Sequence, residues 1–511
     1  MPSEIETRSE SHTTSAVRVC RTQVKTVAVI GAGASGSISL DTLLKENHFS
    51  HVTVFERRDT AGGIWCLDED VGITPPNVKA GASHELLDPP VENPFREGSV
   101  DYQGKTIITS KVTQERFEKT PSYKGLTTNI TEKLMTFSDE KSWNVNNEPN
   151  YREQEFVDGL VVQKYIQKYI SRNLKDERVS FKTGVVVEDI EKVYGKKDSI
   201  PYHFRLTLRR DHNEAFDEFW QEDFDAVIVA TGHYHIPKIP LIEGLPDVEK
   251  KLPGKVQHAK FYRSPDLYAG KNVLVVGSRA SGTDIAKSIA RKANLVYQSI
   301  RTPRASIKPD SYGIVHKPTV RRYEVVSRTA FKAIFDDGTE SDELDYVIYG
   351  TGYQFSFPFL DSLYKESGVQ LIKDGTVITD LFQHTFAISQ PLLAFVGMPI
   401  DGISFRVFEY QAILVSRYLA GKVDMPNRAS MYNWVLQRLQ TKGITRAYHT
   451  IGIADAFEYI DTLVRLGHIK DPELADGRQF PELDKALVTR FYEEKLKAFW
   501  DDGDVQVSAK T

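Results

Sequence analysis

A glycine-rich segment near the start of the chain has the residue types and spacing that bind the diphosphate of a dinucleotide. Gly31, Gly33 and Gly36 occupy the positions of a G-x-G-x-x-G motif in GAGASG, after the β-type run 26–30 and before a helix-type pattern. Such glycines let the backbone turn tightly and approach a pyrophosphate at the N-terminus of the helix. The segment therefore predicts a dinucleotide site in a strand–turn–helix unit.

An acidic residue follows the next strand pattern. Glu56 ends the run 52–55 and lies 25 positions after Gly31. A carboxylate there accepts hydrogen bonds from ribose hydroxyls and repels a 2′-phosphate. The first site therefore suits the ADP half of FAD, and the glycine pair before Trp65 could bring the chain close to a flat ligand.

A second unit with similar spacing follows another short apolar run. Gly277 and Gly282 hold the outer glycine positions of GSRASG, whereas Arg279 occupies the middle one. Arg301 ends the next strand run, 24 positions after Gly277, where the first unit has its acid. Because guanidinium groups pair with phosphates, Arg301 with Arg304 or Arg279 predicts NADPH rather than NADH. Two bound dinucleotides predict hydride transfer between them.

Two more strand patterns mark the connections between these units. The run 225–230 ends in Thr-Gly, and the run 345–349 ends in Gly-Thr-Gly. We therefore predict an α/β fold of two Rossmann-like dinucleotide-binding domains, with the NADPH domain inserted in a discontinuous FAD domain. The predicted divisions are a flexible tail (1–25), the first part of the FAD domain (26–236) with an irregular excursion (66–119), the NADPH domain (237–344), and the second part of the FAD domain with C-terminal helices (345–511).

Composition narrows the class of protein. The chain has 511 residues, with 65 Lys and Arg against 70 Asp and Glu, a balance that argues against nucleic acid as the main partner. Its two cysteines, Cys20 and Cys66, form neither a disulfide framework nor a C-x-x-C pair. Polar or broken apolar segments predict no signal peptide and no membrane anchor, so we expect a cytoplasmic protein. The oligomeric state is left open.

The chain resembles the flavin-containing monooxygenases, and the excursion after Trp65 resembles that of the fungal members. These are FAD- and NADPH-dependent enzymes that oxygenate soft nitrogen and sulfur atoms. The segment LPGKVQHAKFY resembles the family fingerprint F-x-G-x-x-x-H-x-x-x-[FY], with matches at Gly254, His258 and Tyr262 and with Leu252 in place of Phe. The related Baeyer–Villiger monooxygenases carry Trp at the last position, so Tyr262 favours N- or S-oxygenation. We predict a structural role for His258.

Two other segments carry the resemblance into the active site. YKGLTTNITEKLMTFSD matches the Thr-Asn or Ser-Asn pair of the family at Thr128 and Asn129. The resemblance implies that Asn129 lies beside the flavin and the nicotinamide and is catalytic; the alternative is a helix N-cap. PLLAFVGMPIDGISFRVFEYQA resembles the segment that returns to the flavin, which implies a place there for Glu409 and Gln411.

The predicted site residues combine both lines of argument. His233 and His235 lack acidic or cysteine partners at useful spacing, so no metal is predicted. The predicted FAD-binding residues are Gly31, Gly33, Ala34, Ser35, Gly36, Glu56, Gly63, Ile64, Trp65, Thr128, Asn129 and Gln411, and the predicted NADPH-binding residues are Thr128, Gly277, Arg279, Ser281, Gly282, Thr283 and Arg301.

The resemblance also implies a reaction. NADPH reduces FAD, O2 adds to the flavin, and the C4a-hydroperoxyflavin passes one oxygen to an amine nitrogen or to a thiol or thioether sulfur of a small molecule. Three alternatives stay open at this point. They are a Baeyer–Villiger monooxygenase, an uncoupled NADPH oxidase, and a degenerate FAD/NADPH-binding redox sensor without turnover.

Overall fold

The computed structural model describes residues 23–70, 72–96, 104–197, 200–301, 309–452 and 455–493. The strands, in chain order, are β1 (Thr26–Ile30), β2 (His51–Glu56), β3 (Ile107–Ser110), β4 (Val179–Thr183), β5 (Val186–Lys197), β6 (Ile200–Asp211), β7 (Phe216–Phe224), β8 (Ala226–Val229), β9 (Ile236–Pro237), β10 (Val256–His258), β11 (Asn272–Val276), β12 (Leu295–Ser299), β13 (Ile314–Lys317), β14 (Val320–Val325), β15 (Phe331–Phe335), β16 (Tyr346–Tyr349), β17 (Tyr353–Gln354), β18 (Ile372–Lys373), β19 (Val377–Ile378), β20 (Leu381–Phe382), β21 (Phe386–Ala387) and β22 (Leu393–Phe395). The α-helices are α1 (Ala34–Lys45), α2 (His84–Leu87), α3 (Gly159–Ser171), α4 (Leu245–Lys251), α5 (Ala280–Ala290), α6 (Asp361–Ser367), α7 (Ser404–Leu419), α8 (Arg428–Lys442), α9 (Ala456–Leu466) and α10 (Lys485–Phe491).

The first domain is built on a seven-stranded sheet in the order β20-β21-β22-β8-β1-β2-β4. Strand β1 runs parallel to both β2 and β8. Every side chain of β8 is buried, as are those from Val27 to Ile30, which is typical of parallel strands covered on both faces. The core also takes in Val435 of α8, Leu463 of α9 and Val488 of α10. These three helices therefore pack on the first domain.

The second domain has an all-parallel five-stranded sheet in the order β10-β16-β11-β12-β13. The position of β16 inside this sheet shows that one predicted domain boundary was wrong. Residues 345–349 were assigned to the first domain, but β16 lies between β10 and β11 in the second sheet. The chain returns to the first domain only at Gly350–Gly352, next to the short antiparallel ribbon of β9 and β17. Both sheets accept a buried apolar strand, so the pattern of residues 345–349 did not distinguish between them.

The fold class of two Rossmann-like domains, one inserted in the other, is confirmed. A feature that the sequence did not predict is a four-stranded sheet in the order β3-β7-β6-β5. The predicted irregular excursion (66–119) contains α2 and β3, and β3 pairs with β7. Most of the predicted tail, with Cys20, lies outside the described residues, but Val24 is fully buried.

Across the ranges that the structure describes, none of the helices combines the length and the apolar character needed to cross a membrane.

Candidate functional site

The first glycine loop joins β1 to α1 in a conformation that only glycine fits. Gly31 has φ of 105°, and its N–H donates to the carbonyl oxygen of Phe55 at 2.7 Å. A Cβ at Gly31 would lie 2.6 Å from the oxygen of Ala230, and a Cβ at Gly36 would lie 1.8 Å from the oxygen of Gly31. The loop is therefore a tight cradle at the N-terminus of α1, as a bound diphosphate requires.

Glu56 stands at the carboxyl end of β2 beside this cradle. Its carboxylate accepts the N–H of Ala32 at 2.8 Å and the N–H of Arg58 at 2.9 Å, and the residue is buried. Two carboxylate oxygens have more lone pairs than these two donors use. The remaining acceptor capacity of Glu56 thus fits the ribose hydroxyls of the predicted FAD, while its negative charge disfavours a phosphate.

A second glycine pair closes over the first loop. The N–H of Gly62 donates to the oxygen of Ala32 at 3.1 Å, and a Cβ at Gly33 would lie 3.5 Å from the Cα of Gly63. Ile64 is exposed, and the Trp65 ring lies 3.3 Å from where a Cβ at Gly159 would stand, at the start of α3.

The turn at Gly397 lies in the segment that was expected to return to the flavin, although Gly397 itself was not singled out. Gly397 has φ of 100°, and its Cβ would lie 3.1 Å from the Cβ of Ser35 in the first loop. Gln411 accepts the N–H of Gly397 at 3.0 Å and donates to Thr385 and Tyr459 at 2.8 and 3.0 Å. Both side-chain N–H groups of Gln411 are used by protein groups, and its amide oxygen positions the turn. A glycine two residues after buried β22 was the available signal.

The second glycine loop repeats the cradle between β11 and α5. Gly277 has φ of 122°, and its N–H donates to the oxygen of Ser299 at 3.0 Å. A Cβ at Gly277 would lie 2.6 Å from the oxygen of Gly350, and a Cβ at Gly282 would lie 2.5 Å from the oxygen of Gly277. The residues present therefore fit a second dinucleotide. Thr283 donates to the oxygen of Ser278 at 3.1 Å.

The polar residues around this second loop are more open. Ser281 is exposed, and Arg301, two residues after the end of β12, is exposed as well. Arg279 is the N-cap residue of α5, and its guanidinium donates to Asp401 at 2.6 Å. Arg304 lies outside the described residues. Arg301 and Arg279 thus place two positive charges at this end of the second sheet.

The segment with Asn129 lies against the start of α3. Thr128 is buried; its N–H donates to the oxygen of Val157 at 2.9 Å, and its hydroxyl accepts the N–H of Val157 at 3.1 Å. Asn129 itself is exposed. The N-cap alternative is wrong, because turns rather than a helix follow Asn129. The N–H of Gly159 donates to the oxygen of Leu126 at 2.9 Å, so this segment and Trp65 share the start of α3.

Glu409 belongs to a buried ion network. Its carboxylate accepts the N–H of Ser138 at 3.0 Å and pairs with Arg478. Arg478 also pairs with Asp41 of α1 and with Asp139 at 2.8 Å. Although burial alone would raise it, these guanidinium contacts hold the pKa of Asp139 well below its usual range. The network ties α1, α7 and the segment after Asn129 together.

The fingerprint residues hold the second domain at its return connection. His258 is buried; its Nε2 donates to the oxygen of Gly352 at 2.9 Å, and its Nδ1 accepts the N–H of Lys260 at 3.1 Å. Burial lowers the pKa of His258 to about 3. The Tyr262 hydroxyl donates to Ser288 of α5 at 2.9 Å, and Gly254 has φ of 81°. Both ring nitrogens of His258 thus bond to backbone groups.

Comparisons with known proteins agree with this geometry. A family model described as Flavin-binding monooxygenase-like matches residues 97–307 and 312–475. The flavin-containing monooxygenase ustF2 of Aspergillus flavus is 29% identical over 459 residues, which cover 84% of this chain and 89% of that protein. The flavin-containing monooxygenase FMO GS-OX-like 2 of Arabidopsis thaliana is 28% identical over 505 residues, which cover 94% of this chain and 93% of that protein. The solved structure of S-allyl-L-cysteine S-oxygenase from Allium sativum has a TM-score of 0.70 at 24% identity and covers 93% of this chain and 95% of that chain.

Proposed function

The chain belongs to the Flavin-binding monooxygenase-like family and is an FAD- and NADPH-dependent monooxygenase, and we propose that it transfers one oxygen atom of O2 to a soft nucleophile. The acceptor is the amine nitrogen, or the thiol or thioether sulfur, of a small molecule. Support comes from the fingerprint with Tyr262 and from the fold shared with an S-oxygenase.

The observation that carries the proposal is a short segment, residues 397–401, that contacts both glycine loops. Gly397 packs against Ser35 of the first loop, and Asp401 at the other end of the segment pairs with Arg279 of the second loop. Two dinucleotides held by these loops would therefore be bound on either side of one short segment. That arrangement suits the passage of a hydride from the pyridine nucleotide to the flavin.

The chain's own residues bind, orient and exclude water. FAD, when bound, supplies the redox and oxygen chemistry. Glu56 would hold the ribose of FAD, and Arg301 would hold the 2′-phosphate of NADPH. Asn129 would direct its side-chain amide at the reacting oxygen, and Trp65 and Thr128, at the start of α3, would support it there. A well-placed donor keeps the reaction from ending in free hydrogen peroxide.

Substitution of Asn129 tests this role. Asn129→Ser shortens the polar group, so we expect about tenfold more hydrogen peroxide per NADPH oxidised, as the loss of one hydrogen bond implies. The flavin content and NADP+ affinity should stay unchanged. Asn150→Ser, an exposed change on a nearby loop, is the matched control. A wild-type ratio of peroxide to NADPH in Asn129→Ser would remove Asn129 from the mechanism.

The substrate class is tested with a panel of one tertiary amine, one thioether, one thiol and one cyclic ketone. N-oxide or S-oxide formation in step with NADPH oxidation would support the proposal. Conversion of the ketone alone to an ester would instead identify a Baeyer–Villiger monooxygenase. Peroxide as the sole product with every compound would identify an NADPH oxidase.

The cytoplasmic location stays a prediction, which cell fractionation would test.

A further inference from the structure

In the second glycine motif, an arginine replaces the middle glycine. Arg279 is the N-cap residue of α5, and 64% of its side chain is exposed. Its guanidinium donates to Oδ2 of Asp401 at 2.6 Å, and Oδ1 of Asp401 accepts a hydrogen bond from Arg446 at 2.6 Å. One carboxylate of the first domain is therefore shared between an arginine of the nucleotide loop and an arginine of its own domain.

The acid of this cluster is fixed, whereas Arg279 has another possible partner. Asp401 has φ of 58° in a tight turn, and the neighbouring Ile400 exchanges backbone hydrogen bonds with His449 at 2.8 Å and Ile451 at 3.1 Å. Arg446, which belongs to the same domain as Asp401, forms an ion pair with it. Arg279 reaches Asp401 from the second domain on a long, exposed side chain.

A phosphate at the second glycine loop would compete for this guanidinium. The cradle of Gly277 and Gly282 receives a diphosphate at the N-terminus of α5, the turn of helix to which Arg279 belongs. Guanidinium groups bind phosphates through charge-assisted hydrogen bonds. The Nη1 group of Arg279 that donates to Asp401 cannot give the same N–H to a diphosphate, so the two anions compete for this part of the guanidinium.

We propose that Asp401 is a positioning residue that lowers the affinity for NADP(H) by competing for Arg279. Binding of the nucleotide moves Arg279 from Asp401 to the diphosphate. This breaks the Arg279–Asp401 ion pair, which joins the second glycine loop to the segment 397–401. The inference rests on the proposed function only in that NADPH binds at the second glycine loop. It is independent of which atom is oxygenated.

The first glycine loop offers no such competition at the equivalent position. Gly33 has no side chain, and a Cβ there would lie 3.5 Å from the Cα of Gly63, so no ion pair forms at this position. The arginine is therefore specific to the site whose ligand must enter and leave in each turnover.

The test is calorimetric titration of NADP+ into the FAD-loaded protein. Asp401→Asn keeps the shape of the side chain and removes its charge, so Arg279 is freed and NADP+ should bind about two- to fivefold more tightly, the range for an exposed ion pair. Arg279→Gln should bind NADP+ about tenfold more weakly. In the double variant, Asp401→Asn should bring no gain, because Asp401 acts through Arg279.

Each other outcome has a distinct meaning. If Asp401→Asn leaves NADP+ affinity unchanged or weakens it, the ion pair is only a brace between the domains and the proposal is overturned. A gain that persists in the Arg279→Gln background would show direct repulsion between Asp401 and the nucleotide, which also overturns it. Failure of the wild-type protein to bind NADP+ would instead count against the proposed function. Asp401→Ser is a second neutral variant, and the flavin absorption spectrum reports intact folding.

Discussion

The two glycine loops share one backbone design but have opposite surroundings. Both cradles rest on the strand that ends beside them, at Ala230 in the first domain and at Gly350 in the second. In α1, every residue from Ala34 to Leu44 is buried. In α5, burial is confined to one face, with Gly282 and Ile289 among its buried residues. The helix after the turn is thus enclosed on all sides in one domain and open on one side in the other.

This difference matches the two cofactors of the enzyme. A loop beside Gly63, Gly397 and a buried helix suits a cofactor that stays bound through many turnovers, which is the expectation for FAD. NADPH must bind and NADP+ must leave, which suits a loop with exposed arginines. Enclosure slows exchange because many contacts must break before the ligand leaves, whereas exposed charges speed its arrival.

The largest expected effect comes from filling the first cradle. Gly36→Ala places a methyl group 1.8 Å from the oxygen of Gly31, so the loop and α1 must separate and the purified protein should lack FAD. Gly282→Ala, with its Cβ 2.5 Å from the oxygen of Gly277, should keep FAD and lose NADP+ binding. Flavin absorption measures the FAD content, and calorimetry measures NADP+ binding.

A neighbouring substitution serves as the control for steric crowding. Ser37 is fully buried, and its hydroxyl has no hydrogen-bond partner among the described residues. Ser37→Ala should therefore retain FAD. A Gly36→Ala protein with a full complement of FAD would show that the first loop does not hold the cofactor.

The next largest effect tests how α1 is anchored. Arg478→Met removes the cation that Asp41, Asp139 and Glu409 share, and breaking a buried ion pair costs about 3–5 kcal/mol of unfolding free energy. Arg172 and Arg406 stay beside these acids, so we expect a loss at the lower end of that range. When urea unfolding is monitored through flavin release, the variant should unfold at a lower midpoint concentration of urea. Lys251→Met, which removes an exposed pair, should change stability by less than about 1 kcal/mol. Equal effects of both variants would contradict the anchoring role.

A third prediction concerns the charge preference of the second loop. Arg301→Ala removes the cation after β12, so we expect NADPH binding to weaken by about 10- to 100-fold, the worth of a charge-assisted hydrogen bond, with little change for NADH. Dissociation constants of both nucleotides provide the measurement. Arg291→Ala, an exposed change at the other end of α5, is the control. Equal weakening for NADPH and NADH would mean that another residue contacts the 2′-phosphate.

The smallest effect concerns pH and the support of the second domain. The folded pKa of His258, about 3, lies below its unfolded value near 6.5, so its contribution is present above pH 6.5 and is lost as the pH falls. This group should cost about 1.4 kcal/mol of unfolding free energy for each pH unit below 6.5. His258→Gln keeps a donor for Gly352 and should show a shallower decline between pH 6.5 and 5. Parallel pH profiles would mean that His258 titrates normally.

The sequence was most informative where chemistry constrains neighbouring residues. Short apolar runs next to glycine motifs predicted β1, β11 and β12, because a diphosphate cradle needs its strand, turn and helix in series. The hairpin strands β5 to β7 were not predicted; they form a separate antiparallel sheet with no motif beside them. Strand β16 was predicted as a strand but assigned to the wrong domain, since its apolar residues suit either sheet.

Pairs of residues far apart in the chain were beyond the sequence analysis. Nothing near Arg279 indicates that Asp401 is its partner, and nothing near Asp41 indicates Arg478. The segment with Gly397 was expected near the flavin, but nothing in it indicates that Gly397 lies against Ser35. Nor does the sequence near Gln411 indicate its hydrogen bonds to Gly397, Thr385 and Tyr459.

The sequence by itself determined that the protein has two dinucleotide-binding units with opposite charge preference, because each unit is coded by residues within about 30 positions of one another. Only the tertiary structure showed that the helix of the first unit is more buried than that of the second. It also showed that the segment with Gly397 and Asp401 contacts both units. Burial and ion pairing depend on which distant segments pack together, and packing sums many weak contacts that no local pattern records.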